Sequence, residues 1–475
     1  MKLRDVFSKT LVCGFVASMT LPALAEDAAQ PQILFTNTNV FDGFSPDLIE
    51  GANVLVVGNV ITQVSTDAID APDAFVVDAS GKTMTPGLID MHTHSVFMTP
   101  EGTNSYSDKW DGPGGGAMAA QGLRDDFLMK GYTTVREIAG NSRGLAMASK
   151  RGLLIAPRIY TSGAVLSHTG GHGDWGAGND TYVSDYGAMV QHSMIVDSAD
   201  DVIKASRRNY RNGAHFTKIM AGGGVASIFD PLEILGATQE EMEAAVNIAE
   251  NYGTYVAIHA YHDRSYQQAL DAGVRSFEHG FLVSEDIVKQ MADKGEEIVW
   301  SFQCYMSVKS FGSYESMPEF FTHEQKLKGV AVGEGARKAA KMMKENGVFI
   351  TGGADMFGPG LQEIAKEDIA CQVEEAGFTP AEALKHYTGN AGKVLKWSGP
   401  LDPYPTYALG TIAPDSYADI LLWDGNPLED IRLILDESKL QLIMKDGRAY
   451  KNTLVDNDSI MYRPGPSKPS ITSFQ

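Results

Sequence analysis

The chain has 475 residues, of which 43% are hydrophobic and 21% charged, with 49 glycines. It is too long for one compact core and too apolar for disorder, so a soluble globular enzyme of two domains is expected. A formal net charge of -21 argues against nucleic acid and anionic membrane as partners.

Residues 1–25 read as a secretory signal. Lys2, Arg4 and Lys9 open it, residues 11–21 are apolar, and Ala23, Leu24 and Ala25 form an A-x-A cleavage site before Glu26. Cleavage after Ala25 puts the mature protein in the periplasm or outside the cell; an uncleaved anchor and a lipoprotein are the competing readings. Cys13 leaves with the signal. Cys304 and Cys371 then permit one disulfide at most, which a domain this large does not need. After the signal no apolar run reaches the length of a membrane span.

Residues 32–85 read as short strands at 33–38, 52–57, 60–65 and 74–78, with turn pairs at Asp42-Gly43 and Gly58-Asn59. Strand-like runs return at 409–412, 418–423 and 441–445, the last followed by Asp446-Gly447. The two chain ends are therefore expected to build one β-sandwich, 26–85 together with 405–475. Residues 86–404 are inserted into it as a second domain.

The insertion alternates. Apolar, β-branched runs fall at 88–92, 133–138, 158–165, 215–220, 254–258, 275–278, 297–302 and 348–351. Stretches of helical period lie between most of them, such as 200–212, 238–252, 265–272, 284–294 and 335–346. Eight strands alternating with helices over roughly 300 residues predict an α/β fold of the (β/α)8 TIM-barrel type, whose chemistry gathers at the C-terminal strand ends. A doubly wound open sheet competes, but no G-x-G-x-x-G follows an early strand.

Ligand-type residues occupy those ends. The run Thr-Pro-Gly-Leu-Ile-Asp-Met-His-Thr-His, 85–94, closes on His92 and His94, whose i, i+2 spacing in a strand turns both imidazoles to one side. Lys218 lies in the fourth run, His259 and His279 end the fifth and sixth, and Asp355 ends the eighth. A lone histidine is more often a hydrogen-bonded core residue than a ligand. Chance would have to bring six such residues to one rim.

These stretches resemble the amidohydrolase superfamily, in its imidazolonepropionase-like and prolidase-like (Xaa-Pro dipeptidase-like) branch. The matching motifs are 85–94, Thr-Gly-Gly-His-Gly-Asp (169–174), Lys-Ile-Met-Ala-Gly-Gly-Gly (218–224), Ile-His-Ala-Tyr (258–261), Glu-His-Gly (278–280) and Gly-Gly-Ala-Asp (352–355). The tail matches as well, at Gly-Thr-Ile (410–412), Tyr-Ala-Asp-Ile (417–420) and Asp-Gly-Asn-Pro-Leu (424–428).

The resemblance implies two divalent metal ions bridged by Lys218 once it is carboxylated by carbon dioxide; Zn²⁺ suits such ligands best, with Mn²⁺ or Co²⁺ as alternatives. It implies His92, His94 and Asp355 on the more buried ion and His259 and His279 on the more exposed one. A bridging hydroxide would be the nucleophile, and Asp355 the acid/base that carries its proton to the departing nitrogen. His172, in a Gly-rich loop after the third strand, would donate to the oxyanion and touch substrate, or else fix its own turn. Tyr261, two residues past His259, would bind substrate, or else be a rim aromatic.

The implied activity is that of an exported metal-dependent hydrolase of a C–N amide bond. The expected substrate is a dipeptide or small N-acyl amino acid, as for a dipeptidase or carboxypeptidase-like enzyme. A cyclic-amide (imidazolonepropionase-like) or lactone hydrolase is the alternative, and a metal-binding relative without turnover is a second. Assembly into homo-oligomers is implied by analogy alone.

Other features carry less. Arg136 and Glu137 read as an internal ion pair without a catalytic role, and His168, His192, His215, His262, His323 and His386 as structural. Loops 98–120, 167–198 and 303–331 exceed the usual connection length and are expected to wall the substrate pocket. Trp110, Trp175, Tyr305, Phe311 and Tyr314 would line that pocket or anchor their own loops.

Overall fold

The computed structural model describes residues 30–96, 113–174, 192–319, 321–358 and 364–454. The signal reading of 1–25, Trp110, Trp175 and parts of loops 98–120 and 167–198 lie outside the described residues.

The chain opens with β1 (Gln32–Val40), β2 (Ile49–Val57), β3 (Val60–Ser65), β4 (Phe75–Asp78) and β5 (Thr83–Pro86). Then follow β6 (Leu88–His94), β7 (Tyr132–Glu137), β8 (Arg158–Thr161), β9 (Val165–Ser167), β10 (Ser193–Ile195) and β11 (Thr217–Met220). The middle closes with β12 (Val256–His262), β13 (Ser276–Leu282), β14 (Val299–Phe302), β15 (Ile350–Gly352) and β16 (Met356–Phe357). Last come β17 (Ser416–Tyr417), β18 (Ile420–Trp423), β19 (Leu440–Lys445) and β20 (Arg448–Asn452).

Both chain ends enter one nine-stranded sheet, ordered β17-β3-β2-β1-β5-β18-β19-β20 with β4 paired to β1. Strands β5 and β18 pair antiparallel from Thr83↔Trp423 to Pro86↔Ile420, so the C-terminal end is stitched to the strand that leads into β6. Alternation along β18 explains its Ile-Leu-Leu-Trp sequence. Ile420 and Leu422 pack with Ile33, Phe35 and Met84 on one face, while Leu421 and Trp423 pack with Leu128, Tyr132 and Ile434 on the other.

The strands that carry the site are parallel. One run is β6, β7, β8 with β16 beside β6; the other is β9, β11, β12, β13, β14, β15 with β10 beside β9. Helices Ala199–Arg211, Gln239–Asn251, Asp263–Ala272, Glu285–Asp293 and His323–Glu345 follow β10, β11, β12, β13 and β14 in turn. Backbone bonds cross between the two runs: the His215 N–H donates to Thr161 O and the Asp355 N–H to His92 O, each 2.8 Å.

Three expectations need correction. The single strand over 158–165 is two, β8 and β9, because Gly163 turns left-handed at φ +69°. Asn209 fills the break, its Nδ2 donating to Ala164 O at 2.7 Å and its Oδ1 accepting from the Ala164 N–H at 3.3 Å. Loop 303–331 is largely helical: a π-helix covers Tyr305–Ser310, and the helix expected from residue 335 begins at His323. Thr322 and Gln325 cap that start reciprocally. Arg136 pairs with Glu278 at 2.7 Å, whereas Glu137 turns its Oε2 to the Ser95 N–H at 3.0 Å. Cys304 and Cys371 form a disulfide that ties the residue after Gln303 to helix Lys366–Glu374.

Candidate metal centre

The C-terminal ends of β6, β11, β12 and β13 and the segment after β15 converge. Among the described residues, His92, His94 and Asp355 bring one ligand atom each within 4.8 Å of one another. Asp355 Oδ1 stands 3.4 Å from His92 Nε2 and 3.1 Å from His94 Nε2. The His279 ring lies 5.0 Å from that of His92 and 4.5 Å from that of His259. Lys218 is buried in β11, where it registers with Ala257 two residues before His259. All six expected ligand positions thus belong to one rim.

Local backbone builds this rim. His279 and Asp355 are both left-handed, at φ +69° and +57°, a conformation that costs a non-glycine residue about 1–3 kcal/mol and gathers at functional sites. Gly353 is required by contact: a Cβ there would stand 2.4 Å from the His92 backbone nitrogen. Asp90 closes the arrangement from below. Its Oδ1 accepts from the His92 N–H at 2.8 Å and its Oδ2 from the Ala354 N–H at 3.1 Å, so one carboxyl holds both ligand-bearing segments.

Glu278 orients His92. Its Oε2 meets His92 Nδ1 at 2.9 Å, which leaves Nε2 to face Asp355, and its Oε1 accepts from Arg136 at 2.7 Å and Ser276 Oγ at 2.7 Å. Such a carboxylate behind a metal-binding imidazole fixes its tautomer and raises its basicity. Burial pushes Glu278 up, but Arg136 and then His92 outweigh it and hold the carboxyl well below its usual range. Burial likewise pushes Asp355 up, and His92 and His94 overcome it to keep the group ionised.

Three of the histidines, His94, His259 and His279, are held neutral, the state a metal needs. Burial lowers His94 to about 4 and drives His259, next to His172 and His279, well below its ordinary value. His279 is driven down in the same way by burial and then by His92. Burial also lowers Lys218 to about 8, against the pull of Glu278. Its Nζ has no hydrogen-bond partner among the described residues, which for a buried ammonium costs several kcal/mol. Neutral imidazoles and an ionised carboxylate are a donor set that fits a divalent ion.

His172 and Tyr261 adjoin the cluster. The His172 ring stacks on His259 with centroids 4.2 Å apart, and Tyr261 lies 5.3 Å from His279 and is buried. Tyr305 packs instead among interior hydrophobics. Tyr314 leans on His323, centroids 5.8 Å apart, and Phe311 on Phe321 at 6.4 Å; these aromatics anchor their own segments.

Sequence reasoning gave no role to Asp90 or Glu278, and Gln303 escaped it too, with Nε2 3.3 Å from His92 Nδ1. Asp90 was findable, since it shares the i, i+2 face of His92 and His94. Glu278 was hidden by the same rule, which puts neighbours 278 and 279 on opposite faces; the left-handed His279 breaks it.

A family model described as the amidohydrolase family matches residues 83–450. The chain is similar to the ochratoxinase of Aspergillus niger, 28% identical over 423 residues that cover 85% of this chain and 83% of that protein. A crystal structure of a prolidase complexed with N-methylphosphonate-L-proline matches at a TM-score of 0.78 with 30% identity, covering 89% of this chain and 100% of that one. A crystal structure of a Xaa-Pro dipeptidase with methionine bound in the active site matches at 0.76 with 26% identity, over 89% of this chain and 100% of that one.

Proposed function

The chain belongs to the amidohydrolase family and is a hydrolase of C–N amide bonds, and from that premise we propose that it cleaves a dipeptide or small N-acyl amino acid outside the cytoplasm. The observation that carries the reading is the rim itself: three neutral histidines, an ionised aspartate and a buried lysine whose amine has no hydrogen-bond partner among the described residues. The prolidase and Xaa-Pro dipeptidase likenesses support an amino-acid amide as substrate. The ochratoxinase likeness supports hydrolysis by the same family outside peptide metabolism.

His92, His94 and Asp355 would hold one divalent ion, zinc first, and His259 and His279 a second, with carboxylated Lys218 between them. Bound ions would supply electrophilic activation of the amide carbonyl and a water acidified toward neutrality. Lysine can meet carbon dioxide only as the free amine, and burial to about 8 keeps that form accessible near neutral pH. Asp355, ionised and beside both β6 histidines, takes the proton of the attacking water and returns it to the leaving nitrogen. His172 donates a hydrogen bond to the developing oxyanion, and Tyr261 contacts the substrate.

The finer architecture follows the same reading. The two parallel runs close as a (β/α)8 barrel over 86–404, supported by the backbone bonds at His215 and Asp355. The shared sheet folds as a composite β-sandwich of 26–85 and 405–475, supported by the single apolar cluster that collects residues from β1, β2, β5, β18, β19 and β20. Export after cleavage at Ala25 is supported by the Cys304–Cys371 disulfide, a bond that persists in oxidising compartments.

The test is a panel of dipeptides and N-acyl amino acids assayed beside cyclic amides and lactones, with metal-stripped and zinc-restored protein. Turnover of linear amides, lost on chelation and regained with zinc, is expected. Turnover confined to cyclic compounds contradicts the substrate class.

A further inference from the structure

His172 sits in a seat made by a segment far from it in sequence. Its Nδ1 is 2.7 Å from Ser227 Oγ and 3.7 Å from Asp230 Oδ2. Asp230 is buried, and its Oδ2 accepts from the Gly224 N–H at 2.7 Å, while its Oδ1 has no hydrogen-bond partner among the described residues. Gly224 must be glycine, because a Cβ would stand 1.9 Å from His172 Nδ1. Lys328, from helix His323–Glu345, locks the segment from the other side. Its ammonium donates to Gly224 O at 2.7 Å, Ser227 O at 2.9 Å and Asp230 O at 2.9 Å, which uses all three of its donors.

We infer that Ser227 and Asp230, on a segment clamped by Lys328, are positioning residues that set the ring of His172 over the metal-binding histidines. The geometry separates the two ring nitrogens. Nδ1 is hydrogen-bonded to Ser227, with Asp230 Oδ2 3.7 Å away, so Nε2 is the nitrogen left for the site, and the stack on His259, tilted by 19°, fixes where it points. A histidine that served only to anchor the Gly-rich 169–174 turn would gain nothing from a buried carboxylate 3.7 Å from its ring. The segment also places Gly223 O 3.1 Å from His259 Nε2, so one stretch of backbone supports the neighbouring imidazole as well.

The inference rests on His172 working in the reaction proposed above, and its test reads the ring as well as turnover. In zinc-loaded protein, Ser227→Ala and Asp230→Asn are each expected to lower kcat roughly tenfold with KM changed by less than about twofold, the signature of a displaced group rather than lost binding. Ser227→Thr, which keeps the hydroxyl, is expected to retain kcat within about threefold. In a His172→Gln background, Ser227→Ala is expected to add less than about twofold, because residues acting as a unit are not additive. With ¹⁵N-labelled histidine, the ring signals of His172 should move in Ser227→Ala while those of His92, His94 and His279 stay. An equal loss in both backgrounds, or His172 signals unchanged from wild type, overturns the inference. If the wild type hydrolyses nothing in the panel, the proposed function fails and the ring signals alone decide this one.

Discussion

Strands β8 and β11 each bury a basic residue almost completely, and they treat the charge in opposite ways. Arg158, at the start of β8, reaches Asp419 and Asp446 with its guanidinium and lies over the rings of Tyr404 and Tyr417, 5.3 and 4.3 Å from their centroids. It fastens a β8 strand to the sheet shared by the chain ends. Lys218, in β11, is as deeply buried and has no hydrogen-bond partner among the described residues. Arg158, paired within the chain, serves the scaffold, whereas Lys218, unpaired among the described residues, is the buried cation whose charge the described chain leaves unanswered. The difference separates architecture from chemistry more sharply than burial does.

The comparison can be broken by exchanging each residue for methionine. Lys218→Met should lower kcat/KM by about 10³-fold or more, some 4 kcal/mol of transition-state stabilisation, yet leave the urea midpoint of metal-free protein unchanged or raised. Arg158→Met should do the reverse. Stranding Asp419 and Asp446 is expected to remove about 3–5 kcal/mol of stability with little effect on kcat of the folded fraction, read by urea unfolding and by steady-state kinetics.

A third buried group sharpens the contrast. His386 is kept neutral, its Nδ1 donating to Gln372 Oε1 at 2.8 Å, and burial lowers it to about 3. The folded pKa is below the unfolded one, so the unfolded chain binds the extra proton first. Stability is fully present above about pH 6.5 and is lost as pH falls toward 3, by about 2–3 kcal/mol between pH 7 and 4.5. His386→Asn, which keeps a donor for Gln372, should flatten that part of the pH–stability curve; an unchanged slope would contradict the assignment. The smallest expected effect is at Glu278. Glu278→Gln should weaken metal binding about 10–100-fold by loosening His92, measured by competition with a chromophoric chelator.

The contrast also explains what could be read in advance. The six candidate positions stood out in the sequence because five close an apolar run and Lys218 lies within one, where period and residue type agree. The partners that tune them did not, because they are distant: Arg136 meets Glu278 across 142 residues, and Lys328 meets Gly224 across 104. The break between β8 and β9 was hidden for a similar reason, since Asn209 fills it from another helix. The early start of helix His323–Glu345 was written plainly in Thr322 and Gln325 and was passed over because the long connection read as a loop.

Under the function proposed above, Lys218, without a hydrogen-bond partner among the described residues, would be carboxylated and lie between two ions. Metal content of the purified chain, wild type against Lys218→Ala, tests it most directly. About two ions per chain in the wild type and a marked loss in the variant, with the same melting behaviour in the metal-free state, is the expected result. About two ions in both proteins would contradict it.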